Sequence, residues 1–91
     1  MRHFISDHLN ERALALAAVG ERLASCRAVR GIDLENAADD ARVDRERLAE
    51  AEAGEAGLDE AELRRLADAY GVDVTAFFGG RVTPLSYLAG A

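Results

Sequence analysis

Apolar residues recur every three to four positions through Leu9, Ala13, Leu16 and Ala17, the spacing that lines one face of an α-helix. Ser6 or Asp7 is placed to cap this first helix. The pattern runs on through Leu23, Cys26 and Arg27 to Arg30, with Gly20 a candidate break and Gly31 a stop behind a basic last turn. From Asp33 the punctuation becomes dense. Asp33 caps a helix from Leu34 to Ala41, Arg42 and Val43 interrupt it, Asp44 caps Arg45 to Ala53, and Gly54 ends that element. Asp59 opens a helix through Tyr70 that turns Leu63, Leu66, Ala67 and Tyr70 inward, and Gly71 stops it. Asp73 or Thr75 caps a last short turn into Phe77 and Phe78. Beyond a Gly79-Gly80 hinge, Thr83-Pro84 reads as a cap followed by proline at the first helical position, so Leu85, Tyr87 and Leu88 form a terminal helical turn or an extended arm. Strand-forming residues are few and scattered, and the chain reads as all-α.

Length turns this pattern into one small domain. At 91 residues and 9.8 kDa the chain excludes a large enzyme. Its longest apolar run, Ala13 to Val19, is seven residues, against about 20 for a membrane span, and no signal segment precedes it, so a cytoplasmic protein is expected. Cys26 is the single cysteine and falls on the apolar side of the first helix, where a buried thiol is expected. His3 and His8 miss the i, i+4 spacing of a ligand pair, so neither a disulfide, a metal nor a cofactor is expected to hold the fold. No nucleophile is matched with a base and no glycine-rich loop follows a strand, which argues against catalysis. A chain this short buries only about 60 to 65% of its unfolded surface, so a second subunit would help it. Leu9, Leu16, Leu85, Tyr87 and Leu88 on the two flanks are candidate dimer contacts, with packing inside one chain as the alternative.

Charge complicates the picture. The net charge is −6 and every basic residue is arginine, a balance that argues against nonspecific nucleic-acid binding. Residues 1 to 32 carry five arginines against three acids, 33 to 54 three against eight, and 55 to 91 three against six. The acid is concentrated in the middle.

That middle has the text of a helix-turn-helix. Ala37, Ala38 and Ala41 allow two helices to cross closely, Val43 plugs the turn, and Leu48 with Ala51 faces back. Together with VGERLASCRAVRGIDL before it and LDEAELRRLADAYGVDVTAFF after it, ENAADDARVDRERLAEAEAG resembles the lambda-repressor-like (Xre/Cro) helix-turn-helix family from Val19 to Phe78. The resemblance implies a five-helix domain over 19–78, with an extra N-terminal helix over 1–18 and a short tail over 79–91. It also implies a buried or half-buried ion pair between Arg27 and Glu52. Three single positions and one helix face depart from the family pattern. Arg42 stands where a turn glycine is usual, at a cost of about 1 kcal/mol if its φ is positive. Leu34 replaces a glutamine that touches phosphate, and Ala51 replaces a larger aliphatic. The outward face of the recognition helix reads Asp44, Arg45, Glu46, Arg47, Ala49, Glu50, where relatives carry neutral polar or basic residues.

The expected function is a regulator that binds operator DNA through residues 44 to 50. Arg45 and Arg47 are the principal contacts, and Arg42, Asp44, Glu46 and Glu50 lie beside them. A homodimer would set two recognition helices about 34 Å apart, one turn of DNA. The alternative keeps the scaffold and turns Asp39, Asp40, Asp44, Glu46 and Glu50 toward a basic protein, as an anti-regulator or, through the tail, an antitoxin.

Overall fold

Helix α1 runs unbroken from Arg2 to Val29 in a computed structural model that describes residues 2–79 and 82–88, with the side chains of residues 2–11 outside the description. Gly20 does not break this helix. A Cβ there would collide with the Ala51 carbonyl oxygen and lie 2.8 Å from that of Glu52, so the missing side chain serves a close crossing rather than a stop. The expected extra helix over 1–18 is therefore not a separate element. It is the first part of α1, and Ala15, buried, and Leu16, half-buried, already pack on the body.

The short helices start at aspartates, as their spacing predicts. Asp33 accepts from the Asn36 amide at 2.8 Å and opens α2 (Leu34–Ala41), and Asp44 accepts from the Glu46 and Arg47 amides at 3.1 and 3.2 Å and opens α3 (Arg45–Glu52). At α4 (Glu60–Tyr70) the cap is reciprocal: Asp59 accepts from the Glu62 amide at 2.8 Å, and the Glu62 side chain accepts from the Asp59 amide at 2.9 Å. Gly71 closes α4 in the left-handed conformation at φ 70°. Asp73, rather than Thr75, caps the 3-10 turn Val74–Phe77, and residues after Pro84 form a terminal helix, α5 (Pro84–Leu88), rather than an extended arm.

These elements close on one core. Val19 and Leu23 of α1 are fully buried among Leu48 of α3, Leu63 and Leu66 of α4, and Phe77, and the Tyr70 and Phe77 rings meet edge to face at 6.2 Å. Ala37, Ala38 and Ala41 are the small residues that bring α2 onto α3 and α4. Ala51, buried at the α1 crossing, leaves α3 supported despite its small side chain, because Gly20 lets the α1 backbone come in to meet it.

The flank residues expected at a dimer interface are mostly used inside the chain. Tyr87 is 1% exposed, its ring lies edge-on to Phe78 at 5.7 Å and under the Arg12 guanidinium at 5.7 Å, and its hydroxyl accepts from the buried Leu58 amide at 2.8 Å. Leu16 and Leu88 pack against the same core. Tyr87 is thus corrected from a dimer contact to a core residue: burying its ring and satisfying Leu58 outweighs leaving it for a partner. Leu85 is 80% exposed, and the Leu9 side chain lies outside the described residues.

Candidate nucleic-acid interface

The turn that carries α3 outward is made by Arg42, at φ 55° and ψ 46° the single non-glycine residue with positive φ among the described residues. The left-handed conformation anticipated for this position is present. Two features hold it. The Arg42 amide donates back to the end of α2, and Arg65 from α4 donates through Nε to the Ala41 carbonyl at 2.7 Å and through Nη2 to that of Arg42 at 3.3 Å. These bonds satisfy carbonyls that a helix end leaves open. Val43 then plugs the turn in the core, and Asp44 begins α3.

With Leu48 and Ala51 buried, the rest of α3 is assigned by helix geometry at about 100° per residue. Glu46, Ala49 and Glu50 occupy the middle of the exposed face, and Arg45 and Arg47 flank it on opposite sides. The two arginines differ in company. Arg45 is exposed and makes no ion pair or side-chain hydrogen bond among the described residues. Arg47 is engaged: Nε donates to Glu62 Oε2 at 3.0 Å and Nη2 donates to Glu62 Oε1 at 2.6 Å. The bond to Arg47 lowers the Glu62 carboxyl below its ordinary range, helped by the Asp59 amide, and Glu62 in turn raises the Arg47 guanidinium. Of the two α3 arginines expected on the outward face, Arg45 has no partner among the described residues and Arg47, 47% exposed, is tied to Glu62, with exposed Arg42 at the turn before them.

Behind α3, Arg27 and Glu52 pair as the resemblance implies. Arg27 Nε and Nη2 donate to the two Glu52 oxygens at 2.7 and 2.8 Å, and Nη1 donates to the Ile32 carbonyl at 2.9 Å. The side chains are 22% and 11% exposed. The pair is half-buried, so breaking one side costs about 1 to 3 kcal/mol, below the range of a dry site. It ties the end of α3 to α1 and to the loop entering α2. Leu34, at the start of α2, packs against the core.

Two residues that organise this surface have no counterpart among the sequence expectations: Glu62 and Arg65. The Asp59-x-x-Glu62 spacing is a legible capping-box signal. Which arginine that glutamate also receives is not legible, because Arg47 lies fifteen residues away on another helix. Cys26 is half-buried against the core. Among the described residues no group of three or more His, Cys, Asp or Glu is placed to hold a metal, and no helix is long and apolar enough to cross a membrane.

No curated protein and no solved structure matches the chain significantly. Residues 18–77, most of the chain and the whole span from the middle of α1 to the 3-10 turn, match the sequence model of the helix-turn-helix domain family. With that match, the left-handed turn at Arg42 and α3 seated across α1, the chain belongs to the helix-turn-helix domain family.

Proposed function

We propose that this protein is a cytoplasmic, non-catalytic transcriptional regulator of the lambda-repressor-like type that binds operator DNA as a homodimer through the exposed face of α3. The observation that carries the reading is Arg45, exposed and without an ion-pair partner among the described residues, on the first turn of the second helix of a helix-turn-helix, with Arg42 beside it at the turn. In this reading both neutralise phosphates flanking the groove. Glu46 and Glu50, in the middle of the face, accept hydrogen bonds only, which suits the cytosine amino group and rejects guanine edges. Fluorescence anisotropy with a labelled duplex from the DNA upstream of its own coding sequence, against a scrambled duplex at low and physiological salt, tests this. Saturable binding that separates the two duplexes and weakens with salt is expected. Arg45→Ala should weaken binding to both duplexes about equally and make the salt slope shallower by about 0.9. Equal binding to both duplexes, or none by folded protein, defeats the reading.

A second reading is favoured by the pairing of Arg47 with Glu62. It leaves Arg42 and Arg45 against Asp44, Glu46 and Glu50 on the outward side, an acidic balance suited to a basic protein partner. Failure on both duplexes, with a basic protein co-purifying and released by salt, would support that reading.

A further inference from the structure

We propose that Glu62 is a positioning residue that withholds Arg47 from the phosphate backbone, so that this ion pair sets how strongly α3 grips DNA. The inference rests on the DNA-binding reading above. Arg47 is one of two arginines on α3, and both of its donors that face α4 are occupied by the Glu62 carboxylate, at 3.0 and 2.6 Å. The carboxylate is not free to follow Arg47 elsewhere. Glu62 Oε1 also accepts from the Asp59 amide at 2.9 Å, the Glu62 amide donates to Asp59 Oδ1 at 2.8 Å, and the side chain is only 12% exposed.

An approaching phosphate meets a guanidinium whose Nε–Nη2 edge is taken and whose charge is already countered, so without displacing Glu62 it gains only the remaining Nη N–H groups. Displacing Glu62 would leave behind a largely buried carboxylate that has lost its counter-charge. Arg45, with no such partner among the described residues, meets phosphate at no comparable cost. The exchange is therefore biased toward Glu62, and α3 neutralises one phosphate fewer than its two arginines suggest. Glutamine at position 62 keeps an oxygen for the Asp59 amide, so it opens the ion pair while leaving α4 capped.

The test compares wild type, Glu62→Gln, Arg47→Ala and the double variant on the labelled upstream duplex across a salt series, after circular dichroism melts establish that each is folded. Glu62→Gln should bind more tightly at low salt, with the slope of log affinity against log salt steeper by about 0.9, one further phosphate. Arg47→Ala should keep the wild-type slope, and the double variant should lose the extra steepness, which separates the release of Arg47 from mere removal of a negative charge. An Arg47→Ala slope shallower by about 0.9 would mean that Arg47 already meets phosphate in the wild type, and the proposal falls. A slope common to all four proteins also overturns it, while leaving DNA binding intact. Absence of binding by every variant overturns the DNA reading and this inference together.

Discussion

Gly20 of α1 and Ala51 of α3 meet backbone to backbone, with no room for a side chain on the glycine. The contact fixes the depth at which α3 sits on the body. Gly20→Ala would gain about 1 kcal/mol of helix propensity, but the new methyl group meets peptide carbonyls that cannot rotate away. The expected outcome in urea denaturation is a net loss of about 1 to 2 kcal/mol. A more stable variant would mean that α1 and α3 stand further apart than described.

Arg42 holds a conformation that glycine adopts without strain. Relief of about 1 to 2 kcal/mol on Arg42→Gly is partly offset by the greater freedom of glycine in the unfolded chain. A net gain of about 0.5 to 1 kcal/mol is expected. Arg42→Ala removes the same side chain without relieving φ, so equal stability of the two variants would sink the explanation.

Tyr87→Phe leaves the ring in place and takes away the partner of the Leu58 amide. A buried donor without an acceptor costs about 1 to 3 kcal/mol. Faster hydrogen exchange at Leu58, together with that loss, is the expected signature. Unchanged exchange would show that the amide does not depend on Tyr87.

Acid should weaken the link between α3 and α4. Glu62 titrates below its ordinary value of 4.5 in the folded chain, while Arg47 stays charged. Its contribution is therefore complete above pH 4.5 and is lost as pH falls through the folded value. The stability difference between wild type and Glu62→Gln should be largest at neutral pH and close progressively below pH 4.5. A difference that stays constant over that range would assign the effect to something other than the carboxylate.

Much of this architecture is legible along the chain because it is local. Asp33, Asp44 and Asp59 start their helices where an acceptor followed by apolar spacing says they should, while the left-handed turn at Arg42 follows only from the family resemblance. The pairing of Arg27 with Glu52 is legible only through the family resemblance, since twenty-five residues separate them. Gly20 and Tyr87 show where local pattern misleads. A glycine inside a helix has the same spelling whether it ends the helix or admits a neighbour, and an apolar tail has the same spelling whether it covers its own core or another subunit's. Arg65 is settled by the packing of α2 against α4, and Arg47 by α4 bringing Glu62 within reach of α3, neither of which helical spacing encodes.

Continuity through Gly20 also makes α1 a lever. The helix extends from Arg2 to Val29 without a joint, and the molecule is 45 Å in its long dimension against 25 and 21 Å in the others. At 1.5 Å per residue, the first turn stands about 27 Å from the glycine on which α3 rests. A pull or tilt applied at that end is carried along a continuous helix to the Arg12–Leu16 stretch that packs beside Tyr87, and reaches the Gly20 crossing with α3 only through that anchorage.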